Sequence, residues 1–222
     1  MQTISKRISI PTLRRLPSYY HILCQQSEIG IEYISSASMA NLLGIDDTQV
    51  RKDIAITGYN GKPKVGFEIK DSKAHFEKFL GFNNKKRAFI IGAGNLGIAL
   101  AKYQDFNKYG LEIVALFDND PHKIGLKIGY KKVFSIFDLT NLEKEINAHM
   151  AILTVPAENA QDVADSIVNA GIKTIWNFAP INLRVPDDVL VWNQDLIASF
   201  VTLSLMLSSN KQELNKEVCT LI

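Results

Sequence analysis

The chain predicts an α/β protein in which a doubly wound, mostly parallel sheet follows a smaller helical domain. Three observations carry this. A short apolar run, Ala88 to Ile91, enters glycines at Gly92, Gly94 and Gly97 and continues into a helical pattern at Ile98 to Tyr103. Beyond it, apolar runs alternate with helical patterns as far as Trp192, the rhythm of βαβ units. Ahead of it, two short helical patterns meet at Gly44-Ile45 with almost no connection between them.

Composition bounds the class. At 222 residues the chain has room for one large domain or two small ones. It is 46% hydrophobic and 22% charged with no low-complexity tract, which makes it globular. A net charge of +2 decides nothing about nucleic acid, but residues 1–80 hold 11 Lys+Arg against 8 Asp+Glu while residues 81–222 hold 14 against 15. That is a mild bias, and a focused basic face would need only a few of those cations on one surface. Cys24 and Cys219 lie far apart, which fits neither a disulfide framework nor a zinc site and suits a reduced compartment. The N-terminus is polar and basic, without the apolar stretch of a signal peptide. Leu196 to Leu207 is too short to span a bilayer and is broken by Ser199, Thr202 and Ser204. The expectation is a soluble, cytoplasmic protein.

Taken in order, Pro11 suits the first turn of a helix in which Leu13, Leu16, Tyr20 and Leu23 share a face and Arg14 and Arg15 lie on the solvent side. Pro17 is tolerable only near that helix's start. Ser35 or Ser36 caps a second helix that carries Met39, Leu42 and Leu43 and stops at Gly44. Asp46 or Asp47 caps a third, with Val50 and Ile54 inward and Gln49, Arg51 and Lys52 outward. This is a helix-turn-helix pattern, whose second helix would enter a major groove with Gln49 and Arg51 near base edges and Lys52 near phosphate. Tyr59 to Phe67 reads as a glycine-rich hairpin, a wing, carrying Lys62 and Lys64. The expected DNA-facing set is Arg14, Arg15, Ser36, Gln49, Arg51, Lys52, Lys62 and Lys64. A plain three-helix domain with solvated cations is the alternative. Asp71 to Phe82 is a further amphipathic helix, and Asn83-Asn84-Lys85-Lys86 is a linker, which puts a boundary near residue 84.

In the second part, Gly92 makes a tight turn, Gly94 lets backbone N–H groups reach a pyrophosphate, and Gly97 lets helix and strand pack closely. The next strand, Leu111 to Phe117, ends in Asp118, whose carboxylate can accept hydrogen bonds from both ribose hydroxyls of an adenosine. Asn119 and Asp120 offer no cation for a 2′-phosphate, so NAD(H) is favoured over NADP(H). A helical turn at Pro121 to Ile124, a strand at Val133 to Ile136 and a helix at Asp138 to Ile146 follow. Then come a strand at Met150 to Pro156, a helix at Ala157 to Ala170, and strands at Lys173 to Phe178 and Val189 to Trp192. Thr154, Val155, Pro156, Asn177 and Phe178 thus share the carboxyl edge with Gly92, Ala93, Gly94, Asn95, Leu96 and Gly97, where a nicotinamide could rest. A last helix, from Asp195 to about Lys216, carries more apolar surface at Leu196, Phe200, Leu203, Met206 and Leu207 than its own sheet needs, and suits a second subunit.

No catalytic group is evident. There is no Tyr-x-x-x-Lys, none of His21, His75, His122 and His149 is placed as a base, and no metal-ligand spacing occurs. A dinucleotide domain without a catalytic partner reads as a sensor, with the N-terminal domain as its output. A small NAD-dependent oxidoreductase of unrecognised substrate, or a repressor reading another nucleotide, are the alternatives at this point.

The chain resembles the Rex family of bacterial redox-sensing transcriptional repressors along nearly its full length. The matching stretches are IPTLRRLPSYYHIL at 10–23, SSASMANLLGIDDTQVRKD at 35–53, VGF at 65–67, IIGAGNLGIAL at 90–100, FDNDPHKIG at 117–125, AILTVPAENAQDVAD at 151–165 and GIKTIWNFAPINLRVP at 171–186, with the Asp195 helix after them. The resemblance implies a winged helix over 1–84, a Rossmann-like NAD(H) domain over 85–194, and a C-terminal helix over 195–222 exchanged between the subunits of a homodimer. It implies palindromic operators bound with NAD⁺ or no ligand and released by NADH, Tyr103 and Phe178 near the nicotinamide, and a regulator without an enzymatic reaction. Two departures stand out. His21 occupies a place where many members carry arginine, so an interdomain pair with Asp195 is expected to be weaker or pH-dependent. The recognition helix ends Ala55-Ile56-Thr57-Gly58 instead of Ser-Tyr-Phe-Gly.

Overall fold

The computed structural model describes residues 8–208, which form two compact units, 8–81 with 203–208 and 82–202. The first begins with α1 (Ile10–Glu28), β1 (Tyr33–Ile34), α2 (Ser36–Leu43) and α3 (Asp47–Ile56), then β2 (Phe67–Glu68) and α4 (Ile69–Leu80). Local chemistry explains the boundaries. Ser9, Ser35 and Asp46 accept backbone N–H bonds at the starts of α1, α2 and α3, and Gly44 ends α2 in the left-handed region at φ +67°. Pro17 stands inside α1 and not near its start; buried Leu16, Tyr19 and Tyr20 flank it and hold the helix through the missing N–H.

Leu16, Leu23, Met39, Val50, Ile54 and Phe76 close the small core. The inner face of α2 is Met39 and Ala40, and Leu42 is 58% exposed. The hairpin is anchored at its base by β1 and β2, antiparallel with Ile34 opposite Phe67, and closed by a bridge between Lys62 and Gly66. Gly66 at φ +107° allows this: a Cβ there would sit 2.4 Å from the Ile34 carbonyl oxygen.

The second unit holds β3 (Lys86–Ile91), α5 (Asn95–Lys102), β4 (Leu111–Asp118), β5 (Lys127–Ile128), β6 (Lys131–Ser135) and α6 (Leu139–Ile146). It continues with β7 (Met150–Leu153), α7 (Ala157–Asn169), β8 (Thr174–Asn177) and β9 (Leu190–Asn193). The seven strands run in the order β5-β6-β4-β3-β7-β8-β9, parallel throughout except for the β5–β6 pair. The chain leaves β3 toward β4 and returns on its other side at β7, so the topological switch point lies beside the glycine turn. Buried Phe89, Ile91, Phe117 and Leu153 carry the core on one face of the sheet, with Phe89 and Phe117 edge to face at 5.0 Å.

Pro121 to Ile124 makes one helical turn, closed by the Ile124 N–H donating to the Asp120 carbonyl at 3.2 Å; the β5–β6 hairpin that follows it escaped the pattern, its first strand being two residues long. The apolar run at 150–156 leaves the sheet at Leu153, which frees Thr154, Val155 and Pro156 for the strand's carboxyl end. The last described helix is α8 (Leu196–Ser208), and the expected continuation to Lys216 lies outside the described residues. Along α8, Leu196, Phe200 and Leu203 are 56%, 65% and 56% exposed. No helix among the described residues is long and apolar enough to cross a membrane.

Candidate functional site

The carboxyl ends of β3, β4, β7 and β8 open onto a cavity of about 490 Å³ lined by Gly92, Gly94, Leu96, Asp118, Thr154, Val155, Pro156 and Phe178. Each glycine has its own reason. Gly92 sits at φ +107°, and a Cβ on Gly97 would lie 2.0 Å from the Gly92 carbonyl oxygen, so turn and helix can meet only without one. A Cβ on Gly94 would meet nothing within 4 Å: this position caps α5 without a side-chain bond and leaves the helix N-terminus open. Thr154 Oγ1, 2.9 Å from the Gly92 carbonyl, fastens the end of β7 to the turn.

Asp118 is almost wholly enclosed. Its Oδ2 accepts from the Ala93 N–H at 2.8 Å and from Lys123 Nζ at 3.1 Å, and its Oδ1 accepts from the Asp120 N–H at 2.9 Å. Burial works against the charge, but the two backbone N–H groups and Lys123 outweigh it and hold the carboxyl below its ordinary range. Lys123 adds a cation beside this carboxylate that the reading of Asn119 and Asp120 did not weigh. The turn at 121–125 brings it back, and it lines the same cavity.

Two other expected positions fall elsewhere. Asn177 is fully buried and is not among the residues lining this cavity; its amide donates to the Ala179 and Ile181 carbonyls and to Asn193 Oδ1, and its Oδ1 accepts from the Ala179 N–H. It shapes the loop that carries Phe178. Tyr103 ends α5 at the opposite end from the glycines, 54% exposed and edge-on to Phe106 at 4.9 Å. Asn95 opens the first turn of α5 and is exposed.

In the first unit, a groove of about 520 Å³ between α3 and the wing is lined by Ser36, Arg51, Tyr59, Lys62 and Lys64 among others. Arg51 is held by Asp47, Ser36 and Thr48. Lys62 Nζ lies 2.7 Å from Glu68 Oε2 and 3.2 Å from the Tyr33 hydroxyl, so its charge is already paired. Lys64 is exposed at the wing tip, at φ +61°, a costly backbone region for a lysine. Lys52 and Arg14 are exposed on α3 and α1.

Arg15 and Gln49 do not face solvent as expected. Both turn to Asp53, a wholly buried carboxylate on α3: Arg15 Nε donates at 2.7 Å and Nη2 at 3.1 Å, Gln49 Nε2 at 2.7 Å, the Tyr19 hydroxyl at 2.7 Å and Thr12 Oγ1 at 3.2 Å. Burial raises the Asp53 pKa, yet the bonds from Arg15, Tyr19 and Gln49 prevail and lower it; the Tyr19 phenol is pushed up by its own burial and by Asp53. A carboxylate with no water must take its donors from the protein, and these two were in reach. Asp53 itself was missed, though an acid next to inward-facing Ile54 was the available signal.

His21 lies on the exposed side of α1 in the first unit, and Asp195 in the second caps α8 by accepting the Ala198 N–H at 2.9 Å. Among the described residues no group of His, Cys, Asp and Glu is arranged to hold a metal ion.

Comparison with known proteins agrees with both halves. A family model described as a CoA binding domain matches residues 83–181, and one described as a putative DNA-binding protein N-terminus matches residues 7–55. The redox-sensing transcriptional repressor Rex of Treponema denticola is 47% identical over 201 residues, 90% of this chain and 96% of that one. That of Bacteroides fragilis is 37% identical, covering 94% and 95%. Among solved structures, RSP in complex with β-NAD⁺ and operator DNA has a TM-score of 0.85 at 36% identity, covering 95% of this chain and 96% of its own. RSP in complex with β-NADH has a TM-score of 0.82 at 36% identity, covering 96% and 99%. With such identity over nine-tenths of its length, the chain belongs to the Rex family of redox-sensing transcriptional repressors.

Proposed function

We propose that this chain is a cytoplasmic repressor that binds palindromic operator DNA as a homodimer, with NAD⁺ or no ligand, and is released by NADH. The observation that carries the reading is the cavity at the glycine turn, joined in one chain to a helix-turn-helix with a wing. The solved relative RSP, bound to β-NAD⁺ and operator DNA in one structure and to β-NADH in another, supports it.

The residues present fit a dinucleotide. The open N-terminus of α5 above Gly94 offers backbone N–H groups to a pyrophosphate. Asp118 keeps one lone pair on Oδ1 beyond its bond to Asp120, so it accepts one ribose hydroxyl, while Oδ2 is already filled by Ala93 and Lys123. Ala93, Asn95, Leu96 and Gly97 complete the turn, and Thr154, Val155, Pro156 and Phe178 line the cavity toward the nicotinamide. Asn177 acts by shaping the Phe178 loop, and Tyr103 meets the cofactor only in the dimer.

On the DNA side, Arg51 reads bases from α3, while Lys52, Lys64 and Arg14 meet phosphates. Lys62 exchanges Glu68 for phosphate on binding. The DNA-binding domain spans 1–84, the dinucleotide domain 85–194 and the dimerisation helix 195–222, with the apolar side of α8 buried on the partner. His21 and Asp195 link the domains in one state of the switch. A gel shift tests this: a duplex retained by the protein alone or with NAD⁺ is expected to be released by NADH, and a complex indifferent to both nucleotides would overturn the sensing reading.

A further inference from the structure

The Arg51 guanidinium is held at three points in the groove between α3 and the wing. Its Nη1 donates to Asp47 Oδ2 at 2.5 Å and to Ser36 Oγ at 3.2 Å, and its Nη2 donates to Thr48 Oγ1 at 3.2 Å. Asp47 lies one turn earlier on the same helix, at the i,i+4 spacing that lets the two side chains meet. Ser36 is the first residue of α2, so the clamp also ties together the N-terminal ends of both helices of the motif.

These bonds use three of the five N–H groups of a guanidinium. The remaining two lie on Nε and Nη2, the nitrogens that share one edge of the guanidinium. That edge matches guanine, whose O6 and N7 sit side by side in the major groove. The Arg51 side chain is 53% exposed, so packing alone leaves it many rotamers, each of which would have to be surrendered on binding a base. A carboxylate on a surface meant for a polyanion is otherwise unfavourable. Its placement against Arg51 gives it a use.

Resting on the operator-binding reading, we propose that Asp47 is a specificity-determining residue: it holds Arg51 in one orientation for bidentate contact with a guanine in each operator half-site. Asp47 also lies in the first turn of α3, where any acid favours the helix dipole, and the test separates that role from this one.

Duplexes are selected from a random-sequence pool by the full-length wild-type protein, Asp47→Asn, Asp47→Glu and Arg51→Ala. Wild type is expected to select a motif with a guanine at one position per half-site. For Asp47→Asn the preference for that guanine over adenine falls by roughly tenfold while other positions keep theirs, and Asp47→Glu recovers part of it. Arg51→Ala loses the preference at the same position, and NADH binding is unchanged in all four proteins. An Asp47→Asn protein with the wild-type preference at every position overturns the proposal, as does a loss spread evenly over all positions with a lowered Tm. A wild-type protein that selects no sequence overturns the repressor reading itself.

Discussion

Single carboxylates decide much of this protein. Asp53 is fully buried, and five bonds from four side chains keep it charged. Removing it strands Arg15, whose side chain is only 11% exposed, so Asp53→Ala is expected to cost about 3–5 kcal/mol in urea unfolding. Because Asp53 titrates lower in the folded than in the unfolded chain, its stabilisation is complete above roughly pH 4 and is lost as pH falls through the folded value. Urea midpoints measured in acid should therefore drop more steeply for wild type than for Asp53→Asn. None of this was legible beforehand: helical spacing puts Arg15 beside the apolar stripe, and only the fold brings α1 and α3 together around an acid. Asp118 was legible, as the acid that ends the second strand. Its neighbour Lys123 was not, because a turn and not a periodic element returns it. Asp118→Ala is expected to weaken NADH binding at least tenfold by calorimetry at neutral pH, since the lost ribose bond is charge-assisted, and to lower the Tm of the apo-protein, since the Ala93 and Asp120 N–H groups lose their acceptor.

At the scale of elements, regular periods were readable and short pieces were not. The glycine turn, α5, α7 and the central strands follow from spacing, whereas β5, with two residues, has no period to detect. The glycines give a sharp contrast. Gly97→Ala would place a methyl 2.0 Å from the Gly92 carbonyl oxygen and should disrupt both folding and NADH binding. Gly94→Ala meets nothing within 4 Å, so it should fold as wild type while its methyl crowds the anion seat and weakens NADH binding, which calorimetry and a melting curve together would check. The wing lysines also separate. Lys64 is exposed at the wing tip, whereas Lys62 is paired with Glu68 at 2.7 Å. Lys64→Ala is expected to lower the slope of log K against log salt by about 0.9 for each subunit's phosphate contact, and Lys62→Ala by less, since Glu68 also loses its partner.

The whole molecule is two units whose business is joint, and α8 is the sign that one chain is not enough. Phe200 and Leu203 are 65% and 56% exposed, an apolar face that suits a second subunit. Phe200→Asp with Leu203→Asp is expected to shift sedimentation from dimer to monomer and to abolish operator binding while NADH still binds. The surplus apolar helix was visible in the sequence, whereas its exchange between subunits was expected from resemblance alone, because such an exchange would leave no local pattern. On the proposed function, NADH and operator DNA exclude one another on the same protein. Trp176, whose ring lies 5.0 Å from that of cavity-lining Phe178, is placed to pass excitation energy to bound NADH. A single titration of the protein–operator complex with NADH can follow that energy transfer and the anisotropy of labelled operator together. Release of DNA in step with NADH binding, absent with NAD⁺, is the predicted result; NADH that binds while the operator stays bound would contradict it.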